Sequence, residues 1–243
     1  MTISVVTPTC DRPEGLRRLA GMLARQTVHL DEWVVVDGGS DHPAADAVGG
    51  SQVRIVRPIV RAMPGAINFC QNISLGMESA SGDIVVICED DDYYAATHLE
   101  QVVALLREHP GAWAAGDDLQ RYYHLPTRQY RLFDNVGASM CQTALRRAAI
   151  PLMQEVVLAC ASRNSYGVDT TFWRALPQER WAIRRIGTVV GLKGLPGQAG
   201  LGIGHRPSGS LWSHDPKGDI LRAWIGDPDA EAYLSLSHLE SKR

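Results

Sequence analysis

The chain is 243 residues long, 45% of them apolar and 21% charged, which is typical of a globular protein and excludes a disordered or collagen-like chain. Its five cysteines are odd in number and include no Cys-x-x-Cys pair, so neither a disulfide framework nor a thiolate zinc site is expected. No run reaches the ~20 apolar residues of a membrane span, and residues 1–8 have the character of a strand rather than of a signal peptide. We therefore expect a cytoplasmic protein without a membrane span.

The net charge of −3 conceals a division of charge along the chain. Residues 1–120 carry 8 Lys and Arg against 17 Asp and Glu, a balance of −9. Residues 121–206 carry 12 against 4, a balance of +8, and residues 207–243 carry 4 against 6, a balance of −2. Because a surface of one sign attracts the opposite sign, the basic region indicates a polyanionic partner. The alternative is that its arginines are scattered solvated side chains.

Apolar, β-branched runs alternate with helical patterns in the first half of the chain, as in strand–helix–strand units on a parallel sheet. The predicted strands are residues 3–7, 33–36, 53–56, 83–88 and 112–116. The predicted helices are residues 13–24, 65–80 and 97–108. Pro13 suits the first turn of its helix, where its missing N–H would be unpaired in any case. The fold class predicted is α/β, a mostly parallel sheet flanked by helices.

The alternation weakens after residue 117. The predicted elements there are a hairpin around residues 125–127, a strand at 138–143, a short helix at 169–176 and an extended segment at 181–190. Residues 187–209 contain eight glycines, and each glycine gives up much backbone freedom on ordering, so a mobile loop is predicted there. No repeat or low-complexity tail divides the chain, so we predict one domain over residues 1–243.

Four consecutive carboxylates, Glu89-Asp90-Asp91-Asp92, follow the apolar run at residues 83–88. Burying such like charges is costly unless a cation or hydrogen-bond donors compensate them. Mg²⁺ or Mn²⁺ suits oxygen ligands and keeps open positions for the phosphates of a substrate. Ligands of open α/β sheets also bind beyond the carboxyl ends of the strands. The run therefore predicts a metal site, and the alternative is a solvated acidic turn before the next helix.

Four segments together resemble the opening of the family 2 glycosyltransferases with the A-type fold. They are Ile3–Thr9 followed by Asp11-Arg12-Pro13, then Val34–Asp41, Ser81-Gly82-Asp83 and Cys88–Asp92. The resemblance is good over residues 1–120, continues more loosely to residue 176 and then fades. It implies a nucleotide-sugar-binding half at residues 1–120, an acceptor-side half with the glycine-rich loop at 121–206, and a C-terminal extension at 207–243.

The resemblance also implies which residues bind the donor. Pro8 and Thr9 are expected to line the nucleotide pocket at the end of the first strand. Asp37 is expected to bind the base or the ribose, whereas an Asp in a turn can also simply accept hydrogen bonds from local N–H groups.

Within the acidic run, the resemblance assigns the residues different roles. Glu89 stands where the family has the first Asp of its Asp-x-Asp motif, so either Glu89 or Asp90 is expected to contact the ribose. Asp91 stands at the second Asp, which implies that it binds the metal.

The segment Tyr166–Trp173 is similar to the family's Glu-Asp motif, with Val168 in place of Glu and Asp169 as the implied catalytic base. A sugar hydroxyl must lose its proton as it attacks, so the reaction needs a base. A carboxylate at the start of a helix can instead serve only as a cap. The family often has a late histidine as a further metal ligand, which implies His205, with His214 as the rival.

The activity implied is metal-dependent transfer of a hexose or pentose from a nucleotide-diphosphate donor to an acceptor hydroxyl, with inversion at the anomeric carbon. The basic region suggests a polyanionic acceptor, such as nucleic acid with a hydroxyl-bearing base, bound by Arg146 and Arg147. A flipped base would then stack on Tyr122 or Trp173. The alternatives are a neutral glycan or lipid-linked sugar as acceptor, a nucleotidyltransferase, and a non-catalytic sugar- or nucleic-acid-binding module.

Overall fold

The computed structural model describes residues 1–39, 41–61, 63, 65–133, 136–195, 207 and 211–236. The strands of this part are β1 (Ile3–Thr9), β2 (Glu32–Asp37), β3 (Val53–Val56), β4 (Ile84–Ile87), β5 (Asp92–Tyr94), β6 (Ala114–Asp117), β7 (Gln120–His124), β8 (Gln129–Phe133), β9 (Thr143–Arg146), β10 (Trp181–Arg184), β11 (Val189–Lys193) and β12 (Ser213–His214). The α-helices are α1 (Pro13–Ala24), α2 (Gly65–Ser79), α3 (His98–Glu108), α4 (Ile150–Ser162), α5 (Val168–Ala175), α6 (Asp219–Ile225) and α7 (Asp227–Leu236).

The main sheet has seven strands in the order β10-β6-β9-β4-β1-β2-β3. Strands β4, β1, β2 and β3 pair in parallel, and β10 is parallel to β6, whereas β9 is antiparallel to both of its neighbours. All seven residues of β1 are buried, as expected for a central strand that is covered on both faces. The predicted fold class, a mostly parallel α/β sheet, is confirmed.

Helices cover both faces of this sheet. Successive residues of a strand point to opposite faces, so Val5 packs with α1 and α3 while Val6 packs with α2, α4 and α5. The C-terminal helices belong to the first layer, where Asp229 of α7 accepts a hydrogen bond from Tyr93 Oη at 2.8 Å. Within the described residues, no helix is both long enough and apolar enough to cross a membrane.

A second sheet, in the order β12-β8-β7-β11-β5, extends from the acidic run. Strand β5 begins at Asp92, the last residue of that run, and β11 lies between β5 and β7. The extended segment predicted at residues 181–190 is therefore two strands, β10 in the main sheet and β11 in the second. The second sheet brings residues from the later half of the chain to the end of β4.

Several later elements differ from the sequence predictions. Instead of a strand over residues 138–143, a 3-10 turn occupies Met140–Gln142, and β9 starts only at Thr143. Helix α4 was not predicted, because apolar residues lie on nearly all of its sides and no 3.6-residue period is visible. Most of the glycine-rich segment, residues 196–206 and 208–210, lies outside the described residues.

Candidate active site

The candidate site lies at the carboxyl edge of the main sheet. Because β1 and β2 are parallel and in register, Thr9 lies level with Asp37 at that edge. The run Glu89-Asp90-Asp91-Asp92, which we call the acidic cluster, follows β4 on the other side of β1. The fold therefore brings to one edge of the sheet the predicted donor residues Pro8, Thr9 and Asp37 and the predicted metal ligand Asp91.

Asp90 uses both of its carboxylate oxygens inside the protein. Thr9 Oγ1 donates a hydrogen bond to Asp90 Oδ2 at 2.6 Å, and Arg12 Nη1 donates to Asp90 Oδ1 at 3.0 Å. Burial raises the pKa of Asp90, and Arg12 opposes that rise. Asp90 thus ties the end of β1 to the acidic cluster.

Lys193, at the end of β11, places its ammonium group inside the acidic cluster. Its Nζ donates to Asp92 Oδ1 at 2.9 Å and to Asp91 Oδ2 at 3.2 Å, and it lies 5.5 Å from the centroid of the Tyr122 ring. Burial lowers the pKa of Lys193, but Asp91 and Asp92 outweigh burial and hold the pKa well above its usual value. The sequence analysis missed this residue. The signal was a lone lysine closing an apolar strand, since a buried lysine requires a carboxylate partner.

The other side of the acidic cluster holds Glu89, Asp92 and Cys141, whose ligand atoms all lie within 4.8 Å of one another. Burial and the charge of Asp92 raise the pKa of Glu89 well above its usual value. Burial also raises the pKa of Asp92 to about 6, although Lys193 opposes it. Burial raises the pKa of Cys141, which disfavours the thiolate and leaves the carboxylates as the ligands on offer.

Asp169 is the second residue of α5 and is mostly buried. Burial raises the pKa of Asp169, and the charge of Asp169 adds a little to the raised pKa of Glu89. Its Oδ1 accepts a hydrogen bond from the main-chain N–H of Thr170 at 2.7 Å. Val168, where the family has Glu, is fully buried. Asp169 therefore lies in the first turn of α5, and its role as a base stays a prediction.

Among the described residues, the charges of this region do not balance. The carboxylates there are Glu89, Asp90, Asp91, Asp92 and Asp169, and the described cations are Arg12 and Lys193. An excess of buried carboxylates is costly, and a divalent cation would relieve it. Carboxylate oxygens are the ligands that Mg²⁺ and Mn²⁺ prefer. The residues present therefore fit such an ion.

Asp37 is the last residue of β2 and accepts two main-chain hydrogen bonds from the turn that follows, from Gly39 at 3.2 Å and from Ala44 at 3.1 Å. It also forms an ion pair with Arg57, whose Nη2 lies 3.1 Å from Asp37 Oδ2. Asp37 itself is buried, while the Arg57 side chain is 41% exposed. The turn-stabilising role that the sequence left open for Asp37 is therefore present, and Arg57 adds an exposed guanidinium that the sequence analysis did not single out.

The aromatic residues predicted at the acceptor side differ in position. Tyr122 lies beside Lys193 and is partly exposed. Trp173 is 0% exposed and packs edge to face with Phe172 and Trp181, at centroid distances of 5.5 and 5.4 Å. No base can stack on a side chain that is enclosed in the core. The prediction for Trp173 is therefore corrected.

The basic residues predicted for a polyanion lie away from the site. Because β9 is antiparallel to β4, Arg146 lies level with Ile84, at the amino end of β4. Arg146 donates to the carbonyls of Leu106 and Ala112, at 2.7 and 3.1 Å. Arg147 similarly donates to main-chain carbonyls, those of Ala80 and Gly82 at 2.9 and 3.1 Å. Both arginines hold the chain together at the opposite edge of the sheet, which corrects their assignment to an acceptor site.

Of the two candidate histidine ligands, His214 lies within the described residues, and it is not at the acidic cluster. His214 lies on β12, exposed, at the edge of the second sheet and three strands away from β11. His205 lies outside the described residues. The structure thus removes His214 as the rival, and the role of His205 stays a prediction.

Comparison with protein families agrees with this geometry. The profile of "Glycosyl transferase family 2" matches residues 4–151, which is more than half of the chain. The chain therefore belongs to glycosyltransferase family 2, as the resemblance of its opening segments predicted. The match includes β1, the acidic cluster and β9.

Individual relatives extend the comparison. The "Uncharacterized glycosyltransferase YwdF" of Bacillus subtilis (strain 168) is 31% identical over 109 residues, 42% of this chain and 37% of that protein. Staphylococcus aureus TarS aligns with a TM-score of 0.56 and 15% identity over 79% of this chain and 37% of that chain. TarS 1-349 in complex with UDP-GlcNAc aligns with a TM-score of 0.56 and 16% identity over 87% of this chain and 60% of that chain. These likenesses confirm the A-type fold, and the chain spans less than two thirds of the length of each of these relatives.

Proposed function

We propose that this chain transfers a sugar from a uridine diphosphate sugar to an acceptor hydroxyl, with a divalent cation bound at the acidic cluster. The observation that carries the proposal is the group of buried carboxylates at the carboxyl edge, and Asp169 at the start of α5 supplies a further carboxylate whose charge acts on Glu89. Membership of glycosyltransferase family 2 supports the reaction class. The TarS complex with UDP-GlcNAc supports the class of donor.

The nucleotide is proposed to bind between the ends of β1 and β2. Thr9 and Asp37 lie level there, and Arg57 offers an exposed guanidinium beside Asp37. Both oxygens of Asp90 are bound to Thr9 and Arg12, so Glu89 is the better candidate for the ribose. Of the two carboxylates left open by the sequence, the contacts thus favour Glu89.

Asp91 is proposed as the ligand of Mg²⁺ or Mn²⁺, with neighbouring carboxylates completing the site. When bound, the cation would stabilise the negative charge that develops on the departing diphosphate. Arg12, whose Nη1 lies 3.8 Å from Asp91 Oδ2, adds a fixed positive charge on the same side. This assignment follows the position of Asp91 in the family's motif and the charge excess of the site.

Asp169 is proposed to remove the proton of the acceptor hydroxyl. As the acceptor oxygen bonds to the anomeric carbon, the bond from that carbon to the diphosphate oxygen breaks, and the proton moves to the Asp169 carboxylate. Attack from the face opposite the leaving group inverts the configuration. The raised pKa of Asp169 makes its carboxylate a better proton acceptor.

The acceptor is proposed to be a sugar hydroxyl that reaches the site near Tyr122. The polyanionic acceptor stays a prediction that depends on the charge of residues 121–206, since Arg146 and Arg147 lend it no support. Binding of DNA at low salt that weakens steeply as salt rises would support it, because each neutralised phosphate releases counterions.

All five cysteines are free thiols, which supports the reducing cytoplasm as the compartment.

The proposal is tested by release of UDP from a panel of UDP-sugars, with MnCl₂ and with EDTA. We expect release with MnCl₂ only, and Asp169→Asn should slow it at least ~100-fold, the usual contribution of a general base. The affinity of Asp169→Asn for UDP, measured by calorimetry, should stay within about twofold of the wild-type value, because the base acts on the acceptor and not on the nucleotide. Asp219→Asn makes the same change in the first turn of α6 and should have no effect. No UDP release from any sugar, or release that Asp169→Asn leaves unchanged, would contradict the proposal.

A further inference from the structure

Lys193 is a buried cation for which the proposed reaction gives no role. Its side chain is 7% exposed, and its Nζ contacts one carboxylate oxygen each of Asp91 and Asp92, at 3.2 and 2.9 Å. The ring of Tyr122 lies on another side of the ammonium group, at 5.5 Å from its centroid. Lys193 therefore contacts one of the two carboxylate oxygens of Asp91, the residue proposed to hold the metal ion.

The fold fixes this position closely. In β11, Gly191 pairs with Asp92 on one side and with Tyr122 on the other. Lys193 is two residues further along the strand and therefore points to the same face. A Cβ on Gly191 would lie 2.9 Å from the Tyr122 ring, so the bare glycine leaves room for that ring beside Lys193. The contact between Lys193 and the acidic cluster is thus built into the second sheet.

An ammonium group and a divalent cation at the same carboxylate repel each other, and burial makes that repulsion strong. Lys193 also balances part of the charge that would otherwise attract the ion. A nucleoside diphosphate brings further negative charge, which attracts the ion despite Lys193. The order in which the divalent cation and the nucleoside diphosphate bind therefore depends on Lys193.

We propose that Lys193 competes with the divalent cation for Asp91 and Asp92, so that the cation binds weakly to the protein alone and tightly together with a nucleoside diphosphate. The inference rests on the proposed function, which places the cation at Asp91. It adds a device that delays occupation of the metal site until the donor is present.

The test is calorimetric titration of MnCl₂ into the wild type, Lys193→Gln and Lys217→Gln, first without nucleotide and then with saturating UDP. Without UDP, Lys193→Gln should bind Mn²⁺ at least tenfold more tightly than the wild type. The gain in affinity on adding UDP should be at least tenfold smaller in Lys193→Gln. Lys217, an exposed lysine before α6, is the matched control, and Lys217→Gln should behave as the wild type.

Mn²⁺ affinity that is equal or weaker in Lys193→Gln would overturn the competition while leaving the metal site in place. A wild type that binds no Mn²⁺ even with UDP would overturn the cation site and with it the competition. If circular dichroism shows that Lys193→Gln is unfolded without metal, refolding by added Mn²⁺ supports the competition, and failure to refold overturns it. Lys193→Arg, which keeps the charge, should keep the weak binding of the wild type.

Discussion

Asp90 and Asp91 are neighbours in the chain, but their partners give them different roles. Asp90 accepts hydrogen bonds from Thr9 and Arg12 on its two oxygens, so it holds the loop after β1 in place. Asp91 instead contacts Lys193 at 3.2 Å, the group with which the proposed cation would compete. The difference comes from the elements that face each carboxylate and not from the residue type.

Asp91→Asn should therefore impair the metal-dependent reaction without unfolding the protein. The amide keeps the size of the side chain but removes the charge that attracts a cation, so UDP release in MnCl₂ should fall at least ~100-fold. The unfolding midpoint in urea should not fall, because one carboxylate is lost from a crowded cluster. UDP release within a few-fold of the wild type would exclude Asp91 as the metal ligand.

At the scale of elements, the loop after β2 is packed tightly against α2. Asn68 Nδ2 donates to the carbonyl of Gly38 at 3.0 Å, and Asn72 Nδ2 donates to the carbonyl of Thr9 at 3.1 Å. A Cβ at Gly38 would lie 2.5 Å from Asn72 Nδ2 and 2.8 Å from Asn68 Nδ2. The two asparagines thus fix the ends of β1 and β2, where the nucleotide is proposed to bind.

Gly38→Ala should disturb this packing. We expect the free energy of unfolding, measured in urea, to fall by about 1–3 kcal/mol, the usual cost of overpacking. The affinity for UDP should weaken as well, since the ends of β1 and β2 move apart. Gly49→Ala is the matched control, because a Cβ there would have nothing within 4 Å. A Gly38→Ala variant as stable as Gly49→Ala would show that the loop can move aside.

The position of β9 leads to a second prediction at this scale. Arg146→Ala removes donors to the carbonyls of Leu106 and Ala112, so we expect the unfolding free energy to fall by about 1–3 kcal/mol. UDP release by the folded variant should match that of the wild type, because Arg146 lies at the edge opposite the site. Loss of activity without loss of stability would restore Arg146 to the acceptor side.

At the scale of the whole molecule, a buried histidine makes the stability of the fold depend on pH. His98 is fully buried, with Nδ1 at 2.8 Å from Thr188 Oγ1 and the Tyr94 ring at 5.2 Å. Burial lowers the pKa of His98 to about 4, and the charge of Asp117 only partly opposes this. The unfolded chain binds a proton on His98 near pH 6.5, whereas the folded chain does not. Acid therefore favours the unfolded chain between these two values.

We expect this histidine to contribute about 2 kcal/mol to the loss of stability between pH 7 and pH 5. Urea unfolding of the wild type and of His98→Gln at both pH values measures the contribution. The variant should lose about 2 kcal/mol less than the wild type over that range. His109→Gln changes an exposed histidine and should lose as much unfolding free energy between pH 7 and pH 5 as the wild type. An equal loss for His98→Gln and the wild type would contradict the role of His98.

The sequence predicted the first half of the fold well, because buried parallel strands are continuous apolar runs and the acidic cluster ends one of them. Lys193 was missed because its contact with Asp91 spans 102 residues and exists only through the second sheet. The single extended segment at 181–190 gave no sign that it divides between two sheets. Trp173 was misassigned because an aromatic residue has the same sequence pattern in a core as on a binding surface.

The central claim is that a divalent cation and a nucleoside diphosphate meet at the acidic cluster. Crystals grown with UDP and MnCl₂, measured at the manganese absorption edge, test it directly. The account predicts an anomalous peak within about 2.5 Å of an Asp91 carboxylate oxygen and of the diphosphate. Crystals that hold UDP between the ends of β1 and β2 but show no manganese peak at Asp91, or UDP bound elsewhere on the molecule, would contradict it.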